Sequence, residues 1–216
     1  MHIHILSLFP MSMSSYLESS IMKRAQDKGL FRYTLHNLTD WTVRNTRRVD
    51  DRPYGWLPGT ILTIEPLTRA MRDLEKEYGS MRYILPSPRG KVLNHTTIDE
   101  MPKDESTQYC LICPHYEGVD ERIFSLFSID TFSLGNYILS SGELAWLVWI
   151  DAMVRLIPWA LSQESLKEES FSESLEGKKE YPQYSRPEVF EWLSVPKILL
   201  SWNTREIEKW KNENRW

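Results

Sequence analysis

The fold is decided by a short apolar stretch, Tyr109–Cys113 (YCLIC), which runs directly into the turn-forming residues Pro114–Gly118 (PHYEG). An unbroken apolar run that ends at proline and glycine is typical of a strand buried on both faces of a parallel sheet. Side chains three positions apart on a strand point to opposite faces. We therefore interpret Cys110 and Cys113 as core packing residues and not as a zinc or redox pair.

Strand-like and helix-like patterns alternate on both sides of this segment. Strands are predicted at His2–Phe9, Phe31–His36, Arg82–Leu85 and Gln108–Cys113, and a further strand is predicted within Ile129–Leu139. Helices are predicted at Ser14–Lys28, Pro66–Tyr78, Asp120–Phe127 and Glu143–Ile157. This alternation predicts an α/β fold in which a parallel sheet carries helices on both faces.

Composition and charge exclude several classes of protein. The chain has 216 residues, of which 41% are hydrophobic and 26% charged, as in an ordinary globular protein. Its net charge of −4 gives no overall basic field, so nucleic acid would bind only at local patches. One such patch is the loop that contains Arg44, Arg47, Arg48 and Arg52; the alternative is a loop that is merely solvated.

Neither an export signal nor a membrane span is predicted. The first apolar run, Ile3–Phe9, is short and no basic segment precedes it. The longest apolar stretch, Leu144–Leu161, contains Asp151, Arg155 and Pro158, and these residues disfavour a span. We therefore expect a cytoplasmic protein that does not enter membranes.

The chain is expected to have three parts. Residues 1–161 hold the α/β pattern. Residues 162–180 are rich in Ser, Glu and Lys, which is typical of a flexible linker between domains. Residues 181–216 are expected to form a small helical C-terminal domain, with two short helices in Pro187–Trp216.

A ligand site is expected at one edge of the sheet. In open α/β sheets, ligands bind beyond the carboxyl ends of the strands. Here those ends are followed by three turn-rich segments, Pro86–Gly90, Pro114–Gly118 and Leu134–Tyr137. Each contains glycine or proline, so the sequence predicts that the site is built from these three loops.

Nine short motifs follow one another in the order and spacing of a known family, from residue 1 to about residue 211. They are Ser7–Pro10, Asp50–Gly55, Ser87–Gly90, Tyr116–Arg122, Gly142–Leu144, Ile150–Pro158, Glu169–Phe171, Tyr181–Pro187 and Val195–Pro196. In these motifs the chain resembles the bacterial tRNA (guanine-N1)-methyltransferases of TrmD type. Any one motif would be weak, but nine in sequence cover nearly the whole chain.

The resemblance implies a SPOUT-class sheet with a deep trefoil knot, one of the rare exceptions to unknotted topology. It also implies an obligate homodimer that holds S-adenosylmethionine in the knot loops and methylates guanine at position 37 of tRNA. Mg²⁺ is a further cofactor that it allows. The linker would order over the other subunit's active site, and the C-terminal helices would help to grip tRNA.

The resemblance assigns catalytic roles to Arg155 and Glu169. Methylation at guanine N1 requires a general base for the N1 proton and a positive group for the charge that develops on O6. Glu169 stands at the position of the family's aspartate and would be the base, while Arg155 would stabilise O6. Alternatives remain open, since Arg155 can pair with Asp151 one helical turn away and Glu169 can be a solvated carboxylate.

The family pattern also gives binding residues. Substrate binding is expected at Asp50, Tyr54 and Arg186. Cofactor binding is expected at Pro86, Ser87, Pro88, Pro114, Tyr116, Glu117, Gly118, Ser133, Leu134, Gly135, Tyr137, Leu139, Ser141 and Gly142. The alternatives are that Glu117 caps the next helix and that residues 134–139 are simply a core strand.

The sequence departs from the family pattern where glycines are usual. The replaced positions are Trp56, Leu57, Pro114, Ser141, Trp159, Ser162, Trp192 and Trp202. Wherever such a position keeps a left-handed backbone, the replacement costs about 1 kcal/mol or more. These changes, with Thr204 for the usual histidine, leave two alternatives: a knotted dimer that binds RNA without catalysis, and a SPOUT methyltransferase with another RNA target.

Overall fold

A five-stranded, fully parallel sheet forms the centre of the first 161 residues. The computed structural model describes the backbone of residues 1–216 and every side chain except those of residues 163 and 164. The sheet has the order β2-β1-β6-β5-β7. Its strands are β1 (His2–Ser7), β2 (Arg32–Asn37), β5 (Arg82–Val92), β6 (Gln108–Ile112) and β7 (Ile129–Ser133), and a small hairpin is formed by β3 (Asp50–Asp51) and β4 (Ile61–Leu62).

Helices cover both faces of this sheet. They are α1 (Ser14–Leu17), α2 (Ser20–Asp27), α3 (Ile64–Tyr78), α4 (His95–Asp99), α5 (Ile123–Leu126) and α6 (Gly142–Arg155). One face packs against α1, α2, α4 and α6 in a core that includes Trp146 and Trp149, both fully buried. The other face packs against α3 and α5, through side chains such as Met71 and Ile123. The predicted α/β architecture is confirmed, and the trefoil knot stays a prediction.

The two cysteines of the central strand lie on opposite faces, as the strand geometry predicts. Cys110 belongs to the core that packs against α3, and Cys113 to the core that packs against α6. Both are buried and reduced. Burial raises the pKa of the Cys110 thiol to about 12, so this side chain packs as an uncharged group. The C-x-x-C spacing therefore marks core packing.

The prediction of one helix over Ser14–Lys28 is wrong, because the chain breaks between α1 and α2. Ser20 has a φ of +45°, and the hydroxyl of Ser19 donates a hydrogen bond to the Tyr16 carbonyl over 2.8 Å. Serine side chains compete for backbone groups in this way and disfavour a continuous helix. Helix α3 begins at Ile64, so Pro66 lies in the first turn, where its missing N–H has no cost.

One predicted strand end is also wrong, and another is confirmed. Strand β5 runs to Val92 instead of Leu85, with a register shift against β7 between Pro86 and Lys91. The intervening residues bulge out of the ladder, and the chain then returns to pair with the same neighbour. Strand β7 lies within the predicted segment Ile129–Leu139 and ends at Ser133, just before the predicted turn, where Gly135 takes a φ of +139° and its N–H donates to the Ser133 hydroxyl over 3.1 Å. Residues 134–139 are therefore a loop and not a core strand.

Residues 162–216 form a second compact unit, and Met1–Leu161 form the first. The second unit contains helix α7 (Gln163–Lys167), a hairpin of β8 (Val189–Phe190) and β9 (Leu193–Ser194), and helix α8 (Thr204–Glu213). The prediction of two helices in Pro187–Trp216 is wrong in part, since the first half forms the hairpin and a short 3-10 helix. In this unit, Tyr181 and Trp210 pack edge to face. In the part of the chain that the structure describes, no helix is both long and apolar enough to cross a membrane.

Candidate active site

The carboxyl ends of β5, β6 and β7 open into a cavity of about 690 Å³. This volume lies within the range that is usual for small-molecule sites. All of the predicted cofactor residues except Gly135 line it: Pro86, Ser87, Pro88, Pro114, Tyr116, Glu117, Gly118, Ser133, Leu134, Tyr137, Leu139, Ser141 and Gly142. The fold therefore brings three loops, far apart in sequence, around one space at the predicted edge of the sheet.

Gly142 allows two of these loops to touch. Its N–H donates a hydrogen bond to the Pro114 carbonyl over 3.0 Å. A Cβ atom added at Gly142 would lie 2.5 Å from Pro114 Cδ and 2.8 Å from Cys113 Cα. Such contacts are far shorter than van der Waals distance, and part of the clash is with backbone. Glycine is therefore required at this position to seat the start of α6 against the end of β6.

The segment Tyr116–Gly118 is held in an unusual conformation. Tyr116 has a φ of +59°, which is uncommon for a residue with a side chain. The Glu117 N–H donates to the Thr60 carbonyl over 3.0 Å, and the Leu62 N–H donates to the Gly118 carbonyl over 3.0 Å. The hairpin β3–β4 thus fixes this turn from one side. Left-handed residues of this kind concentrate at functional sites.

The helix-cap alternative for Glu117 is wrong. Helix α5 begins at Ile123, six residues farther along the chain. Asp120 lies in the turn just before this helix, where its carboxylate accepts a hydrogen bond from the Arg122 N–H over 3.0 Å. The Glu117 side chain lies instead beside Gly59, because a Cβ at Gly59 would be 2.6 Å from Glu117 Oε1.

A buried polar network lies behind the same turn. The Nε2 atom of His115 lies 2.8 Å from Glu143 Oε1, and the Ser7 hydroxyl donates to the same carboxylate. The Phe9 N–H in turn donates to the Ser7 hydroxyl over 2.8 Å. Glu143 is in the first turn of α6, where a negative charge is stabilised by the helix dipole. The network links the ends of β1 and β6 to the start of α6.

The hairpin loop carries the predicted substrate residues Asp50 and Tyr54. The Arg48 guanidinium and the Thr60 hydroxyl hold the pKa of the Asp50 carboxyl below its usual range. Tyr54 is exposed and lines a second cavity of about 840 Å³ together with Tyr116 and Glu117. Because Tyr116 and Glu117 also line the cavity of about 690 Å³, Tyr54 lies next to that cavity.

Carboxylates already engage three arginines of the predicted phosphate patch. Arg44 pairs with Asp51 at 2.9 Å, Arg48 with Asp50 at 3.2 Å and Arg47 with Asp40 at 2.5 Å. These exposed pairs reduce the positive field that the sequence suggests for this loop, although pairs of this kind are weak and exchange readily.

The proposed catalytic residues and Arg186 lie in different parts of the chain. Arg155 is half-buried in the last turn of α6, where a cation is favoured by the helix dipole. Its predicted helical neighbour Asp151 accepts a hydrogen bond from the Tyr16 hydroxyl over 2.7 Å. Glu169 is a buried carboxylate of the second unit, which rules out the solvated alternative, and Arg186 is exposed in that unit.

Three of the positions where glycine is usual do take a left-handed backbone. Trp56, Trp159 and Trp202 have φ values of +61°, +74° and +55°. At these positions the left-handed conformation on which the predicted strain depends is present. Ser141 is extended at −162°, and any residue adopts that conformation.

The structure adds cavity residues that the sequence reasoning missed. Those nearest to the motifs are Ile61, Arg89, His115, Glu121, Phe124 and Ile138. Arg89 and Glu121 form an ion pair at 2.7 Å between two loops of the cavity. His115 and Glu121 lie beside and within the motif Tyr116–Arg122, and both are polar or charged, so the sequence could have indicated them as site residues. Nothing in the sequence indicated Phe124 and Ile138, because apolar residues at such positions are typical of core packing.

Comparison with known proteins gives a consistent result. The family model for tRNA (Guanine-1)-methyltransferase TrmD matches residues 1–216. A tRNA (guanine-N(1)-)-methyltransferase of Citrifermentans bemidjiense is 41% identical over 216 residues, which are 100% of this chain and 85% of that protein. One from Clostridioides difficile is 40% identical and covers 99% of this chain and 91% of its own.

A solved structure is also similar. The crystal structure of tRNA (m1G37) methyltransferase from Aquifex aeolicus superposes with a TM-score of 0.80 at 34% identity. The alignment covers 99% of this chain and 88% of that one. The parallel sheet, the loops at its carboxyl edge and the full-length match all agree. The chain belongs to the tRNA (guanine-1)-methyltransferase TrmD family.

Proposed function

We propose that the protein transfers a methyl group from S-adenosylmethionine to N1 of guanine at position 37 of tRNA. The observation that carries the proposal is the cavity at the carboxyl edge of the parallel sheet, lined by the loops after β5, β6 and β7. Family membership supplies the reaction class, and the names of the relatives supply the nucleic acid and the base.

The residues of the cavity fit a nucleoside cofactor. Leu134 and Leu139 provide apolar surface for a purine ring, and the backbone of the surrounding loop offers hydrogen-bonding groups. Glu117 places a carboxylate at the boundary between this cavity and the hairpin loop, where a positively charged sulfonium would be stabilised. When bound, S-adenosylmethionine supplies an electrophilic methyl group.

Glu169 and Arg155 provide the acid–base and electrostatic groups. Glu169 accepts the proton of guanine N1, which makes the N1 lone pair available to form the new N–CH₃ bond as the S–CH₃ bond breaks. The Arg155 guanidinium stabilises the negative charge that develops on O6. Asp50, Tyr54 and Arg186 are proposed to hold the RNA. Support comes from the burial of Glu169, which favours a directed and not a solvated role.

We also propose that the protein works as a homodimer. Helix α6 is apolar nearly all round, and its outer side chains Leu144 and Val148 are 56% and 51% exposed. They lie one helical turn apart and so share a face. Phe9 and Met11, at the start of a 3-10 helix (Pro10–Met13) that packs on α6, are also exposed. A second copy of this chain would bury this surface, and the Val148→Asp variant should sediment as a monomer.

Mg²⁺ remains part of the proposal as an assisting ion. Among the described side chains, no cluster of three or more His, Cys, Asp or Glu residues is arranged to hold a metal. Mg²⁺ is usually held by one or two carboxylates together with phosphate oxygens of the substrate, so the assisting ion is proposed to use oxygen atoms of the RNA with few protein ligands. Titration of the methylation rate with EDTA and then with Mg²⁺ tests this point.

Transfer of a labelled methyl group from S-adenosylmethionine to a tRNA transcript with guanine at position 37 tests the function. Arg155→Ala is expected to lower the rate about 10²- to 10³-fold, and Glu169→Gln about 10²- to 10⁴-fold. The matched controls are Arg69→Ala for the arginine variant and Glu173→Gln for the glutamate variant. Both substitutions change exposed side chains and should retain the wild-type rate.

Two outcomes would contradict the proposal. Wild-type protein that binds tRNA but transfers no methyl group would show an RNA-binding relative without catalysis. Incorporation that is equal in transcripts with guanine or adenine at position 37 would show a different RNA target.

A further inference from the structure

The tip of the hairpin loop Arg52–Thr60 holds two aromatic side chains in solvent. Tyr54 is 96% exposed and Trp56 is 101% exposed, so neither ring is packed against the rest of the chain. Both belong to the wall of the cavity of about 840 Å³ that also includes Tyr116 and Glu117. Large rings placed in this way bury almost no surface, so they gain nothing from the hydrophobic effect when the chain folds.

Trp56 carries a second cost, because its backbone is left-handed. Its φ is +61°. This conformation is unfavourable for any residue that has a Cβ atom, whereas glycine adopts it without strain. In the same loop, glycine is present at position 59, where φ is +82° and a Cβ would lie 2.6 Å from Glu117 Oε1. Trp56 thus stands at a position where glycine would relieve the backbone and where the ring is free to meet a ligand.

The base of the loop is anchored to the turn that lines the cofactor cavity. Asp50 and Asp51 pair with Leu62 and Ile61 in the β3–β4 hairpin, and the Glu117 N–H donates to the Thr60 carbonyl over 3.0 Å. The indole of Trp56 is therefore presented from a fixed support beside Tyr116 and Glu117. A ligand that enters the cavity next to these residues passes the exposed ring.

The ligand that suits an exposed indole beside such a cavity is a nucleobase. Unpaired bases stack on aromatic side chains, and this contact tolerates any base because each has a π face. We propose that Trp56 is a stacking site for the base next to the target guanine in the single-stranded loop of the RNA. The inference rests on the proposed function, since it assumes that RNA is the substrate, and it adds a binding contact that strengthens the grip on the neighbouring nucleotide.

The test measures affinity for tRNA at fixed ionic strength, with wild-type protein and three variants at this position. Trp56→Gly removes the ring and the backbone strain, and should weaken binding roughly 5- to 100-fold, the usual range for loss of one stacked base. Trp56→Leu keeps the apolar bulk and the strained backbone without a π face, and should lose as much as Trp56→Gly. Trp56→Phe should retain most of the affinity.

A modified RNA locates the contact. A tRNA assembled from two synthetic halves can carry an abasic nucleotide on either side of the target guanine. On one of the two sides the abasic site should weaken wild-type binding by about the same factor as Trp56→Gly, and it should have no further effect on Trp56→Gly itself. Such non-additive losses are the signature of a direct contact.

The outcomes separate this inference from the function on which it rests. Methylation of intact tRNA by the wild-type protein establishes the function, whatever Trp56 does. Unchanged affinity of Trp56→Gly for S-adenosylmethionine shows that the cofactor cavity is intact. If Trp56→Gly or Trp56→Leu then binds intact tRNA as well as wild type, or if both abasic sites add fully to the loss in Trp56→Gly, the stacking site is overturned.

Discussion

His115 and Glu143 form a buried pair, with His115 Nε2 lying 2.8 Å from Glu143 Oε1 and 3.0 Å from Oε2. Burial by itself would raise the pKa of Glu143. Hydrogen bonds from His115, Ser7 and Ser141 outweigh burial and lower this pKa to about 2. The ionised carboxylate therefore ties the turn that contains Tyr116 to the first turn of α6, and both segments line the cavity at the carboxyl edge of the sheet.

Glu143→Gln should weaken both the fold and the cofactor site. A buried hydrogen-bond network that loses its charged acceptor is destabilised by about 1–3 kcal/mol. The KM for S-adenosylmethionine should rise more than kcat falls, because the turn after β6 loses its support while Arg155 and Glu169 are untouched. Glu65→Gln is the matched control, since Glu65 is also in the first turn of a helix but lies outside the cavity, and its pair with Arg69 is about half exposed and worth about 0–1 kcal/mol. Equal effects of both variants in urea unfolding and kinetics would contradict this role.

Gly142→Ala should be more damaging than its size suggests. The added Cβ would meet Pro114 and the backbone of Cys113, and forcing a methyl group into such a contact costs about 1–3 kcal/mol. Binding of S-adenosylmethionine, measured by calorimetry, should weaken as the two loops move apart. Gly29→Ala is the control, because its φ is +70° but a Cβ there meets nothing within 4 Å. It should lose about 1 kcal/mol of stability and keep cofactor binding.

Trp159→Gly should raise the free energy of unfolding. The residue has a φ of +74° and its side chain is 73% exposed, so the substitution relieves backbone strain and removes little packing. The expected gain over Trp159→Ala, which removes the ring but keeps a Cβ, is about 1 kcal/mol. The comparison in urea isolates the backbone effect. Equal stability of the two variants would show that the strain is relieved elsewhere.

Stability should fall as the pH is lowered from about 6.5 to about 4, because buried histidines stay neutral in the fold. Burial, followed by nearby positive groups, lowers the pKa of His2 from 6.5 to about 4, and burial does the same for His36. His4 lies between them, with its Nδ1 3.0 Å from His36 Nε2. Above pH 6.5 the histidines are neutral in both the folded and the unfolded chain, and their contribution to the free energy of unfolding is fully present. Below it the unfolded chain takes up protons that the folded chain does not, and the contribution is lost.

Urea midpoints at pH 7.5 and pH 5 measure this effect. The free energy of unfolding should drop by roughly 1–2 kcal/mol for each of the two histidines. His36→Gln should flatten the pH profile, while His95→Gln, which changes a histidine outside this cluster, should leave it unchanged. A profile for His36→Gln that is as steep as that of wild type would contradict the assignment.

Much of the fold could be predicted because it depends on local patterns. Runs such as Tyr109–Cys113 are apolar throughout and end at proline, which indicates a buried strand before any contact is known. The break at Ser20 and the bulge after Pro86 could not be predicted in the same way. Each depends on contacts with segments that are distant in sequence, and tertiary packing determines those contacts.

The candidate site also has a part that could be predicted from local sequence and a part that depends on tertiary packing. The loops after the three strands could be located from the strand ends alone, and their residues from the family resemblance. The pair His115–Glu143 joins residues 28 positions apart, and its formation requires the close approach of Gly142 to Pro114. The left-handed backbone of Trp56 could not be predicted from local sequence either, because tryptophan disfavours that conformation and the hairpin imposes it.

The most direct test is to identify the methylated nucleoside. Wild-type protein is incubated with S-adenosylmethionine and a tRNA transcript that has guanine at position 37, and the RNA is digested and analysed by mass spectrometry. We predict 1-methylguanosine at position 37, and its loss in both Arg155→Ala and Glu169→Gln. Absence of 1-methylguanosine with the wild-type protein, or its undiminished formation by the two variants, would contradict the proposed reaction or the proposed roles of these residues.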